Sequence, residues 1–195
     1  MKHAGLLVLV IALVAAVAGV SLAAKVKVRV QHDKNFSFAG LKTYAWHPEG
    51  AGDVKMLQNT EDDPAKIKAR LEPVIREAVD QELAKRGMTL VASGTPDFYV
   101  NYYVLIGPGS SSQYQGQFIG AVPAWGLPDF MMATTAFSAF EQGSVILDIS
   151  SVSLKTVVWR AVAQAEIDRQ RSDVERVKRI QDGVREMLKK FPPKK

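Results

Sequence analysis

Apolar and polar positions follow several distinct rhythms along this chain. Residues 4–20 form an unbroken run of apolar and small side chains with no polar break. Residues 25–31 alternate strictly, Val26, Val28 and Val30 facing one way and Lys25, Lys27 and Arg29 the other. That period of two predicts a half-buried strand with one wet face. Between 67 and 83 the period changes. Ile67, Leu71, Val74, Ile75, Ala78, Val79 and Leu83 recur at helical spacing. Asp63-Pro64 supplies an N-cap and a first-turn proline, and Gly87 after Lys85 and Arg86 supplies the stop. Pro73 lies inside this pattern and predicts a kink or split near Glu72. A second helix follows the capping box Ser172-x-x-Glu175, with Val174, Val177, Ile180, Val184, Met187 and Leu188 along one stripe.

The remaining elements read as strands and turns. Phe36, Phe38 and Leu41 lead, past Gly40, into a short strand at 43–46. Residues 47–62 are polar, contain Gly50 and Gly52, and predict a loop. A short strand is expected at 88–91. Residues 97–106 predict the strongest strand, with Phe98, Val100, Tyr102 and Val104 on one face and Tyr99, Asn101, Tyr103 and Leu105 on the other. Further strands are expected at about 133–140, 144–149 and 154–167. In the last, Val157, Trp159, Ala161, Ala163 and Ala165 share a face. Consecutive strands with two separated helices predict an α+β fold: a mostly antiparallel sheet of about five or six strands, with two amphipathic helices packed on one face.

The first 24 residues change the setting. Met1, Lys2 and His3 form a cationic head, the apolar run follows, and Ser21-Leu22-Ala23-Ala24 provides small residues for cleavage after Ala24 or Ala23. This order predicts a secretory signal peptide and a periplasmic or secreted protein. The alternative is an uncleaved anchor in the inner membrane, since about 20 apolar residues span a bilayer. The chain has no cysteine, so neither a lipidated cysteine nor a disulfide is available, and stability rests on the core. About 170 residues remain beyond the leader, enough for one domain over 25–190 followed by a basic tail at 191–195. Net charge is +5, with both signs interspersed. No dense basic stripe suggests nucleic acid as a partner.

Four segments carry a family resemblance. They are Asp33-Lys34-Asn35-Phe36-Ser37-Phe38-Ala39-Gly40-Leu41-Lys42-Thr43-Tyr44-Ala45-Trp46, Pro96-Asp97-Phe98-Tyr99-Val100-Asn101-Tyr102, Gly143-Ser144-Val145-Ile146-Leu147-Asp148-Ile149 and Val157-Val158-Trp159-Arg160-Ala161. In this order the chain resembles the family catalogued as domain of unknown function 4136, over about residues 25–190. The resemblance implies a bacterial envelope protein. Many members are lipoproteins, whereas this chain lacks the lipidation cysteine. The family has no assigned activity, so it implies no catalytic residues.

Candidate chemistry is sparse. His32 and His47, with no cysteine, give no zinc spacing, although they would meet if they ended adjacent strands. There is no Gly-x-Ser-x-Gly elbow and no His-Glu-x-x-His. Neither a catalytic residue nor a cofactor or metal is expected. A wall-polymer hydrolase would require Asp97, Asp148 and His47 to cluster. Tyr44, Trp46, Phe98, Tyr102 and Trp159 are expected in the core. Asp97 and Asp148 are expected to bond local backbone, and Arg160 to reach solvent or a carboxylate.

Residues 107–142 are the exception, with Phe118, Ile119, Val122, Trp125, Leu127, Phe130, Met131 and Met132 too apolar for a solvated loop. They predict either a cover for the sheet face that the helices leave open or a docking surface for an envelope protein or a lipid. Phe118, Trp125, Phe130, Met131 and Met132 are the candidate contacts. Two function classes follow. One is a non-enzymatic binding or assembly module, in which a membrane face is one possible partner. The other is a carrier with an apolar cavity between sheet and helices.

Overall fold

A computed structural model describes residues 26–56, 63–106, 143–165, 167 and 170–193. Seven strands form one sheet: β1 (Lys27–His32), β2 (Thr43–Trp46), β3 (Gly52–Met56), β4 (Thr89–Leu90), β5 (Phe98–Ile106), β6 (Gly143–Ser151) and β7 (Thr156–Ala165). Helices α1 (Pro64–Ala84) and α2 (Asp173–Leu188) pack against each other and against one sheet face. The strand order is β1-β7-β6-β5-β2-β4, with β3 also paired to β5. The long pairings β1–β7, β7–β6 and β6–β5 are antiparallel, and the short ones, β5–β2, β5–β3 and β2–β4, are parallel. The fold is therefore α+β with a mixed, mostly antiparallel sheet.

β3 lies inside the stretch expected to be a loop. Its sequence, Gly-Asp-Val-Lys-Met, has one buried side chain, Val54, and no aromatic or β-branched run to announce it. It forms because β2 covers only the first third of β5. β3 continues along the same edge, after a turn closed by the Gly50 N–H to His47 O bond. Gly50 holds a φ of 127°, a left-handed region where side chains are strained. Expected strands at 88–91, 144–149 and 154–167 appear as β4, β6 and β7, with shifted ends. The strand expected at 133–140 lies outside the described residues.

α1 is one continuous helix rather than a split pair. Pro73 sits on its exposed side, where a missing N–H and the ring meet solvent rather than the core. Asp63 caps the helix by accepting from the Ala65 N–H at 2.9 Å. In α2 the capping box is present as the sequence predicts. Its buried stripe is Gly183, Val184, Met187 and Leu188, while Val174, in the first turn, is exposed.

The helix-side core gathers Tyr44, Phe98, Val100, Tyr102, Leu147, Ile149 and Trp159 from the strands. Phe191, just past α2, is buried among them, with its ring edge-on to Trp159 and Phe98. Trp46 is only half-buried, with Arg76 lying over its ring. α1 is held to the sheet by carboxylates as well as by apolar contact. Asp80 Oδ1 accepts from the Tyr44 hydroxyl at 2.7 Å and from Trp46 Nε1 at 3.2 Å. Glu72 Oε2 accepts from the Tyr102 hydroxyl at 2.9 Å. Burial, reinforced by these carboxylates, raises the pKa of both phenols. Asp80→Ala is expected to cost about 1–3 kcal/mol in urea unfolding, because a buried phenol and an indole lose their shared acceptor. Asp80→Asn, which keeps a carbonyl there, should cost less.

Candidate functional site

The strand register divides the side chains of the sheet between two faces. Val100, Ile149 and Trp159 point toward the helices, and Asn101, Asp148 and Arg160 point away. A bulge opposite Ile149 and Ser150 reverses the sense of β7 there. Val157 pairs with Ser150 and joins the far face instead of sharing the Trp159 face as its spacing suggested.

The far face is buried at its centre. Leu105, Ile146 and Val162 are essentially inaccessible and belong to no part of the helix-side core. Beside them Arg160 and Asp148 form a bidentate pair, Nε to Oδ1 and Nη2 to Oδ2, both at 2.7 Å. Arg160 thus meets a carboxylate, one of the two outcomes expected, while Asp148 bonds that guanidinium rather than local backbone. Asp97 does bond backbone, but of a distant segment. Its Oδ2 accepts from the Lys42 and Thr43 N–H groups and from Thr43 Oγ1, at 2.7–2.9 Å. Those backbone bonds hold its carboxyl below the usual range. Asp97 and Asp148 are thus each committed to separate structural partners. His47 packs against Tyr99. The three do not form the cluster that a hydrolase reading requires. His32 ends β1, which is separated from β2 and His47 by β7, β6 and β5. Among the described residues no three metal-ligating side chains gather.

Two clefts remain. The first, about 380 Å³, lies between the helix layer and the sheet end where β5 stops and β6 begins. Ile67 and Leu71 of α1, Ile180 and Gly183 of α2, and Val104 and Val145 of the sheet line it. Its size falls in the lower part of the range for small-molecule sites, about 300–1,000 Å³. Gly183 matters here because a Cβ at that position would sit 3.4 Å from Ala163 Cβ, so α2 lies close over β7 with no side chain between them. Arg70, Arg171, Arg176 and Arg179 also border the cleft. Asp173 lies 3.1 Å from Arg176 and 3.9 Å from Arg70. The β7–α2 linker also contains Glu166 and Asp168, whose side chains lie outside the described set.

The second cleft, about 1,210 Å³, opens on the far face beyond the Arg160–Asp148 pair, between the β2–β3 turn and the β6–β7 turn. Its walls carry His47, Tyr99, Asn101 and Tyr103.

Phe118, Trp125, Phe130, Met131 and Met132 lie outside the described residues, as does the leader at 1–24. The segment that carries the five aromatic and methionine residues leaves after Ile106 and returns at Gly143, which are register partners at the first cleft's end of the sheet. No described helix is long and apolar enough to cross a membrane. Sequence reasoning anticipated an apolar space between sheet and helices. It did not find the arginine rim or the far-face cleft, because both are assembled from residues distant in the chain.

Comparison with known proteins bears on the fold and the family. The family described as Domain of unknown function (DUF4136) matches residues 28–193. No curated protein matches the sequence. Among solved structures, a PDZ domain protein from Parabacteroides distasonis is similar at 16% identity and a TM-score of 0.50, over 87% of this chain. This chain covers only 36% of that one. A PelC dodecamer from Paraburkholderia phytofirmans gives 9% identity and a TM-score of 0.39, over 88% of this chain and 100% of that one. A Xanthomonas campestris protein of family DUF330 gives 11% and 0.35, over 83% and 86%. At these identities the first likeness concerns the fold alone.

Proposed function

The chain belongs to the family of domain of unknown function 4136, and from that premise we propose that it is a non-catalytic binding protein of the cell envelope that holds a single-chain anionic lipid. The observation that carries this reading is the apolar cleft between the helices and the sheet, bordered by arginines. An acyl chain fits a lining of isoleucine, leucine and valine, since each buried methylene gains about 0.8 kcal/mol. A carboxylate or phosphate head suits guanidinium groups, which bind planar oxyanions in a forked geometry. The apolar leader read from the sequence supports an extracytoplasmic location, where lipid is in transit or at hand.

The test is native mass spectrometry of protein isolated from the envelope, followed by titration with a fluorescent fatty acid. A co-purifying lipid, displaced by the probe, is expected. Ile180→Trp should fill the cleft and weaken probe binding by at least about tenfold, a free-energy loss of about 1.4 kcal/mol. A bare chain that also fails to take up the probe would refute the reading. So would probe binding that Ile180→Trp leaves unchanged while the protein stays folded.

A further inference from the structure

The far-face cleft has a different chemistry from the lipid site, and it does not depend on that reading. Tyr99, Asn101 and Tyr103 are alternate residues of β5, so all three project to the same side. Asn101 is only 9% exposed and donates through Nδ2 to Gly50 O at 3.1 Å. Its Oδ1 has no hydrogen-bond partner among the described residues. Tyr103 is 8% exposed, and its hydroxyl likewise makes no hydrogen bond to a described residue, although it borders the cleft. Burial, together with the charge of Asp148, pushes its pKa up to about 12, so it remains a neutral donor. Neither Asn101 Oδ1 nor the Tyr103 hydroxyl is among the sealed polar atoms that lack a partner, so solvent in the cleft reaches both. Here an acceptor and a donor two residues apart are both left facing an open cleft.

The aromatic component sits beside them. Tyr99 is partly exposed and His47 stands edge-on to it, with ring centroids 5.4 Å apart. Both rings border the cleft. Charges on the rim are mixed rather than of one sign: Asp53 pairs with Lys55 at 3.3 Å, Lys68 lies 4.0 Å from Glu72, and Glu49 and Lys155 also line the opening. A strongly charged ligand has no matching field here. An apolar one would bury Asn101 Oδ1 and the Tyr103 hydroxyl without partners, at a cost of about 1–3 kcal/mol each.

We propose that this cleft binds a neutral saccharide chain, with one sugar packed by its C–H face on Tyr99 and its hydroxyls bonded to Asn101 Oδ1 and the Tyr103 hydroxyl. A sugar presents an apolar face and a ring of hydroxyls that both donate and accept. That combination satisfies the aromatic wall and the two unfilled polar groups together. In the envelope such chains belong to surface or wall glycans.

The experiment is a two-dimensional amide NMR titration of the mature chain with N,N′,N″,N‴-tetraacetylchitotetraose, a neutral oligosaccharide. The amides of Tyr99, Asn101 and Tyr103 are expected to shift together. Tyr99→Ala should weaken binding about tenfold, and Tyr103→Phe, which removes one oxygen and spares packing, about threefold. Thermal unfolding of both variants checks that they fold. Tyr103→Phe carries the test if Tyr99→Ala does not fold. The inference fails if these amides do not move, or if affinity is the same in every folded variant. It also fails if tetra-alanine shifts the same amides and the sugar does not. A failure of lipid binding at the helix-side cleft would leave these results untouched.

Discussion

Asp148→Ala is expected to lower stability by about 3–5 kcal/mol, among the largest effects of any single side chain in this fold. Asp148 and Arg160 face each other across the β6–β7 ladder, with side chains 1% and 5% exposed. Two charge-assisted bonds of 2.7 Å join them. Removing the carboxylate deprives the buried guanidinium of its bidentate counter-charge, and the desolvation that this pair offset is then less well compensated. Asp148→Leu combined with Arg160→Met should recover most of the loss, because an apolar pair of similar volume has no charge to desolvate. Urea unfolding of Asp148→Leu, of Arg160→Met and of the two combined measures the coupling. Equal and additive losses would show that the pair contributes through shape rather than charge. The effect should appear in stability and not in lipid retention, since neither residue borders the helix-side cleft.

Most of the fold is legible in the sequence where apolar side chains recur along the face that packs on the helix-side core. β5 shows this on its helix side, where Phe98, Val100, Tyr102 and Val104 are all in the core as their alternation predicts. α1 shows it through Ile67, Ile75, Ala78, Val79 and Leu83. The pattern fails where a partner strand, and not the local sequence, decides. β3 has few strand formers and exists because the edge of β5 beyond Val100 offers unpaired backbone groups. The face of Val157 is set by a bulge that no local periodicity marks. Arg160 and Asp148 lie 12 residues apart on neighbouring strands, so their pairing follows from register rather than from spacing. The same limit applies to the clefts. Ile67 and Ile180 come together only because both helices lie on one face, and Asn101 reads as an ordinary strand position until its neighbours are placed.

Gly52→Val is expected to detach β3 and reshape the far-face cleft. Gly52 stands beside Tyr102 in the parallel β3–β5 ladder. A Cβ at this position would lie 2.1 Å from the Tyr102 carbonyl oxygen and 2.5 Å from its Cδ1. Neither atom can yield cheaply. The carbonyl belongs to the central strand, and the ring is fully buried with its hydroxyl bonded to Glu72. The strand bearing the new side chain must therefore move, since overpacking that cannot relax costs about 1–3 kcal/mol or more. Displacing β3 would lift Val54 from the core, break the Tyr102 N–H to Ala51 O bond and carry Gly50 away from Asn101. Hydrogen exchange should then accelerate across residues 53–56, while the β6–β7 hairpin remains protected. The same variant should lose the tetraacetylchitotetraose shifts at Asn101, because the carbonyl that orients its amide has moved. Unchanged protection of 53–56 would mean that the ladder accepts a side chain at residue 52, and that the close approach to Tyr102 does not fix the position of β3.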